Sequence, residues 1–267
     1  MGHTSNLLIG KMRYKMRSNE HYIMERVNQH HQAAWDYVEK KGGYIIGTFL
    51  HGSQNYNLDT EESDVDTVSI YVPTVDFAIV NSPKNHQLVM EDGSNEHCTI
   101  KDIRNYINEL LESNPNAIEL LYTKYSFYTT PLDYYNFKYF INNKEKFLKY
   151  NPSSFFNAAD GMAYNYLKRC DEKGVRNFYR IAIMLDNASY NNICNPYFLT
   201  DAQRENVFNA ARAWKECEYL GQFFEDNRDF LSEMYKEKFY TALPDGFDRE
   251  AFKDEVKEYM TKLIKES

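Results

Sequence analysis

Cysteine is scarce and scattered: residues 98, 170, 194 and 217 form no C-x-x-C pair. That spacing argues against a zinc knuckle or a disulfide framework and leaves reduced thiols as the expectation. Long apolar runs are missing as well. The longest are strand-sized, far short of the roughly 20 residues a membrane helix needs. The N-terminus has no apolar segment followed by a small-residue cleavage site, so a soluble, cytoplasmic protein is expected, in the host cytoplasm if a phage encodes it. Positive charge is also short. Lys and Arg total 31 against 39 Asp and Glu, a net charge of −8. A non-specific duplex binder draws most of its affinity from neutralising phosphates, so extended duplex DNA binding is not expected. A local basic patch for an RNA end, a nucleotide or a protein partner stays open. No internal repeat and no low-complexity tract interrupts the chain.

What is abundant is aromatic side chain. Twenty-three tyrosines and 17 phenylalanines in 267 residues argue for a packed core, because disordered chains are poor in aromatics. Residues Asn19 to Lys40 read as an amphipathic helix, with Ile23, Val27, Ala34, Trp35 and Val38 at helical spacing and Gly42-Gly43 as the stop. Tyr44–Leu50 is a short apolar run suited to a buried strand. Gln54–Ser63 is loop-like, and Asp64–Val72 alternates with period two, as a strand with one face towards a site would. Further strands are expected at Phe77–Val80, Gln87–Met90 and Glu96–Ile100, with Asp92-Gly93 as a hairpin turn. Asp102 caps a helix to Leu111, and Asn114-Pro115 starts another. Beyond residue 130 the segments Asn151–Cys170, Lys173–Ala188, Thr200–Leu220, Asp226–Tyr235 and Asp248–Ile264 all suit helices. The expected class is α+β: an α/β region over residues 1–130 followed by an all-helical region over 131–267.

One stretch carries chemistry. Gly52 lets backbone approach an anion with no Cβ in the way, and Ser53 adds a hydroxyl and an N–H. Asp64 and Asp66 sit two apart on one strand, so both carboxylates face the same side and can reach the same divalent cations. Backbone donors for phosphates beside carboxylates for metal are what nucleotidyl transfer requires, since that reaction rests on positioning and charge neutralisation.

The order apolar strand, Gly52-Ser53, polar loop, Ser63-Asp64-x-Asp66, strand resembles the signature of the DNA polymerase β superfamily of nucleotidyltransferases. With Tyr56 and Leu58 the pattern H-G-S-x-x-Y-x-L-x-x-x-x-S-D-x-D is similar to a narrower subfamily, the predicted nucleotidyltransferases associated with RNA repair and common in phage and bacterial genomes. Asp102-Ile103-Arg104 and the Asn114–Leu121 stretch (N-P-N-x-x-E-L-L) fit the same resemblance, as does Lys173-x-x-x-Asn177-x-x-Arg180, similar to the subfamily's basic helix. The resemblance spans residues 45 to about 185. It implies a polymerase-β-like palm, Mg2+ or Mn2+ on Asp64, Asp66 and a third carboxylate, and triphosphate held by Gly52, Ser53, Lys173 and Arg180. It also implies an NTP substrate, with an RNA end or a protein as acceptor. Glu119 would either orient a metal ligand or nucleotide, or serve only a local bond.

One position departs from the family. The third carboxylate should come shortly before the D-I-R helix start, where a straightforward register puts His97, with Glu96 one residue off. Side chains alternate along a strand, so only one can face the site without a bulge. Glu96 is the expected ligand because magnesium takes hard oxygen donors. His97 in that place would weaken turnover and leave a nucleotide-binding module. The other candidates read as structural. His30 and His31 point about 100° apart on a helix, His51 suits a local hydrogen bond, and the aromatic Tyr122–Phe140 stretch suits packing.

Overall fold

The computed structural model describes residues 20–60, 63–90, 93–169, 171–189, 195–216, 226–241 and 247–267. Of the four cysteines only Cys98 falls among them, and it is buried and unpaired. The first helix, α1 (Glu20–Glu39), forms where the periodicity predicted it, and buries Ile23, Val27, Ala34 and Val38 on one stripe. Gly42 then takes φ +70°, a conformation glycine adopts freely, and turns the chain into β1 (Gly43–His51).

Strand β1 runs antiparallel to β2 (Asp66–Pro73), and β2 pairs in parallel with β4 (His97–Asp102). With β3 (His86–Val89) and the two-residue β5 (Ser126–Phe127) they form one mixed sheet in the order β3-β4-β2-β1-β5. A register shift between Ile45 and Gly47 lets β1 keep its apolar side chains on both covered faces. On one face Ile45, Tyr71, Cys98 and Ile100 pack under Ala34 and Val38 of α1, and Leu50 and Val65 pack under Ile23 and Val27. On the other, Ile46, Phe49, Val68, Ile70 and Val72 meet α4 (Ile103–Leu111) and the helices that follow. Each such fully buried side chain contributes about 1.5–3 kcal/mol of burial free energy, so both faces are firmly held.

Asp102 caps α4 by accepting from the Arg104 amide, and Asn114 caps α5 (Pro115–Glu119), as the sequence predicted. Two short segments differ from expectation. Gln54–Ser63 begins with a single helical turn, α2 (Ser53–Tyr56). Val75–Val80, expected as a strand over Phe77–Val80, is a helix, α3, entered from extended Thr74. Pro73 closes β2, Asp76 sits favourably in the first helical turn, and a short apolar run does not by itself reveal its period. Gly93 has the positive φ of a turn residue, while Asp92 lies outside the described residues.

Helices follow from Pro131 onward: α6 (Pro131–Asn142), α7 (Lys144–Tyr150), α8 (Pro152–Leu167), α9 (Glu172–Ser189), α10 (Asp201–Glu216), α11 (Phe230–Thr241) and α12 (Arg249–Lys265). The first two lie in and after the aromatic stretch, whose Phe137 and Phe140 are fully buried against Phe49 and Tyr106. Helix α12 returns to pack on α3, α4 and β2. One continuous core cluster holds sheet residues such as Ile46 and Val68 together with Phe155, Phe178 and Phe252, so packing continues across residue 130. The molecule is α+β, a mixed sheet followed by a helical region. Among the described residues no helix is long and apolar enough to cross a membrane.

Candidate functional site

Strand β1 ends at His51, which pairs with Asp66 at the start of β2. Gly52 follows with φ 85° and ψ −160°, a backbone state that a side chain would strain. That geometry swings the chain over β2: a Cβ built on Gly52 would stand 3.8 Å from Asp66 Oδ2. The Gly-Ser turn and the second aspartate, fourteen residues apart in the chain, therefore adjoin on one edge of the site. The Asp66 side chain is about 42% exposed and its Oδ1 accepts the His97 amide at 3.1 Å. Val65, just ahead of β2, is fully buried in the cluster under α1, and Asp64 before it is exposed.

Beneath the turn lies a buried clamp centred on Glu119. Its carboxylate accepts from Asn55 Nδ2 at 2.9 Å and from the Tyr56 hydroxyl at 2.5 Å, and His51 Nδ1 stands 3.1 Å away. Burial opposes charge on Glu119, but the adjacent His51 and the bonds from Tyr56 and Asn55 hold its carboxyl below the usual range. His51 responds in the opposite sense. Burial disfavours its cation, yet Glu119 outweighs that and raises its pKa. Burial and the adjacent Glu119 together push the Tyr56 phenol far up, so it remains a donor. The residues before and after the Gly-Ser turn are thus tied to one carboxylate supplied by the N-P-N-x-x-E-L-L element, which gives Glu119 a positioning role.

Arg180, expected at a triphosphate, is buried against this clamp. It is 1% exposed, and its guanidinium stacks on the Tyr56 ring at 4.0 Å. The physical reason is its place on α9, two turns after Lys173 on the stripe that α9 buries with Val175, Phe178 and Ile181. Lys173 is exposed in the first turn of α9.

The choice between Glu96 and His97 is resolved by the pairing of β4 with β2. Thr67 is opposite Cys98, and both turn to the α1 face, so His97 falls on the Asp66 side and Glu96 on the other. His97 Nδ1 is 3.6 Å from Asp66 Oδ1. Glu96 is 3% exposed and engaged by α1: Arg26 Nε donates at 2.6 Å, His30 Nε2 lies at 3.1 Å, and the Val65 amide donates at 3.1 Å. The expected third ligand is therefore a buried ion-pair partner, held there because Arg26 would otherwise be an uncompensated buried charge. This contact was not readable from the sequence. Arg26 lies 70 residues from Glu96 on the helix face read as apolar.

His30 and His31 belong to the same interlayer. His30 Nδ1 bonds Thr67, and His31 bonds Thr48 at 2.9 Å and Thr129 at 2.7 Å. Thr48 bonds Ser69, whose hydroxyl meets the Cys98 thiol. Burial lowers the pKa of both histidines, that of His31 to about 4.

The family scan matches nothing, and neither does the search of curated proteins.

Among the described residues no cluster of three or more His, Cys, Asp or Glu side chains could hold a metal ion. The two aspartates do suit a hard divalent cation of the magnesium type, which takes one or two protein carboxylates and completes its shell with substrate phosphates and water. They do not suit a three-carboxylate centre built wholly by protein.

Proposed function

We propose that this protein is a metal-dependent nucleotidyltransferase with a polymerase-β-like palm, transferring a nucleoside monophosphate from an NTP to a hydroxyl acceptor with release of pyrophosphate. The observation that carries the reading is the approach of Gly52 to Asp66 across the β1–β2 edge, with Asp64 exposed two residues ahead of Asp66. Gly52, free of a Cβ, lets the β- and γ-phosphates come close to backbone N–H groups there, and Ser53 adds its hydroxyl. One turn of helix has little dipole, so these local donors rather than α2 would bind the anion. Asp64 and Asp66 would hold Mg2+ or Mn2+ against the phosphates. The bound cation would supply charge neutralisation at the α-phosphate and at the departing pyrophosphate. In the transfer an acceptor oxygen bonds to the α-phosphorus as the bond to the bridging oxygen breaks; the acceptor proton passes to solvent and pyrophosphate leaves. Glu119 fixes the turn through Asn55, Tyr56 and His51.

The test is transfer of label from α-labelled NTP to total cell RNA and to total protein, which also separates the two acceptor classes. Asp64→Ala with Asp66→Ala should abolish labelling; undiminished labelling refutes the proposal.

A second reading, a nucleotide-binding regulatory module with weak turnover, is favoured by one observation: His97 occupies the side of β4 where a third acid would serve the metal. Calorimetry decides between them. Tight Mg2+-dependent NTP binding without any labelled product supports the module.

A further inference from the structure

At the far end of the same strands, α1, α3, β2, β3 and β4 enclose a cavity of about 540 Å3. Tyr71 on its wall lies five positions beyond Asp66 along β2, roughly 17 Å at strand rise, so it is remote from the Gly52–Asp66 edge. Two ring pairs line it. Tyr37 packs on the His86 imidazole with centroids 5.2 Å apart, and Tyr71 meets Phe77 edge-on at 6.3 Å. Lys41 and Lys84 also line it; Lys41 Nζ donates to the Tyr37 hydroxyl at 2.5 Å and lies 4.1 Å from that ring's centre, and both lysines act on His86, which burial and these two charges keep below its ordinary pKa. The Tyr71 residue is 5% exposed, yet its hydroxyl has no hydrogen-bond partner, and a buried phenol O–H left unpaired is costly. The one carboxylate on the wall, Asp102, is neutralised by Arg104 at 2.8 Å. Arg104 also donates to the carbonyls of Ala78 and Asn81, which pins the end of α3 over the cavity. Helix α3 buries none of its own residues, and Ile79 and Val80 are more than three-quarters exposed.

In a chain of net charge −8, a cavity with aromatic walls, an unmet phenol and two lysines selects a flat ring that carries a negative group. The geometry points to a second binding site, for a nucleoside monophosphate unit, free or at the 5′ end of an RNA. The base packs against the His86 and Tyr71–Phe77 rings, and the phosphate meets Lys84, with Lys41 turning to it from the Tyr37 ring. The volume lies within the range of small-ligand pockets. Stacking of a base on aromatic side chains is tolerant of sequence, so the site takes any of the four bases with modest preferences. This assignment is independent of the nucleotidyltransferase reading.

The experiment is calorimetry on the full chain without divalent metal, using AMP, adenosine, inorganic phosphate, and a short oligoadenylate with and without a 5′-phosphate. AMP should bind more tightly than either adenosine or phosphate alone. Lys84→Ala, at an exposed side chain that leaves the fold intact, and Phe77→Ala should each weaken AMP about tenfold. Tyr71→Phe should weaken it by severalfold, and Asp66→Asn should leave those dependences in place. A 5′-phosphorylated oligonucleotide binding at least tenfold tighter than AMP identifies an RNA end as the source; equal or weaker binding identifies the free nucleotide. No AMP binding at millimolar concentration, or binding indifferent to Lys84→Ala and Phe77→Ala, overturns the assignment.

Discussion

Replacing Glu96 by glutamine separates a metal ligand from a structural anchor. In the wild type Oε2 takes Arg26 and faces His30, while Oε1 accepts the Val65 amide. A glutamine has one acceptor oxygen and one NH2 group. If its oxygen faces Arg26, the NH2 meets the Val65 N–H; if it is flipped, the NH2 meets the guanidinium. Either way a donor confronts a donor in a region 3–9% exposed. Removing one charge of a buried pair costs about 3–5 kcal/mol. Arg26 keeps neutral bonds to Gln29 and Ser94, so the low end, about 3 kcal/mol, is appropriate here. At about 2 °C per kcal/mol for a chain of this size, Tm should fall by roughly 6 °C. Thermal unfolding by circular dichroism reads the shift, and calorimetry with Mg2+ and NTP at a temperature where the variant is folded reads binding. The double variant Arg26→Met with Glu96→Gln should recover part of the loss, because no buried charge is then left alone. An unchanged Tm together with lost metal-dependent NTP binding would refute the reasoning and return Glu96 to the metal site.

Three further outcomes follow from the same structure. His31 is held near pKa 4 by burial while an unfolded histidine titrates near 6.5, so the unfolded chain takes up a proton first. Stability should be complete above pH 6.5 and fall by about 3 kcal/mol as pH drops towards 4, and His31→Gln should flatten that slope in urea titrations at several pH values. Gly52→Ala forces a Cβ into φ 85° beside Asp66, which should cost about 1–3 kcal/mol in chemical denaturation and weaken NTP binding more than Ser53→Ala does. Glu119→Gln keeps the shape of the clamp but removes its charge opposite His51; labelling activity should drop by at least tenfold while the far-ultraviolet dichroism is kept, and full activity would deny Glu119 its positioning role.

Much of the fold was legible because it is local. The stripe Ile23, Val27, Ala34 and Val38, the alternation over Asp64–Val72, and the caps Asp102 and Asn114 are written in spacings of two to four residues; the structure places helices there and a strand over Asp66–Pro73, without Asp64 and Val65. Val75–Val80 was misread because six apolar-rich residues fit either period. Helix α6 was hidden in a stretch whose aromatics conceal any stripe, and the seven-residue α7 directly after it was not anticipated.

Of the candidate site, the chain order placed Gly52-Ser53 just after one strand and Asp66 at the start of the next, where the structure has them; Asp64, expected on the same strand, precedes it. Sequence also narrowed the third position to Glu96 or His97. What only the tertiary structure decided was which of the two turns to Asp66, because that depends on how β4 registers with β2 and on a charge, Arg26, brought in by a distant helix. The same holds for Arg180, whose spacing suggested a basic face and whose packing makes it core. A buried charge goes where its partners are, and partners across a fold leave no trace in local spacing.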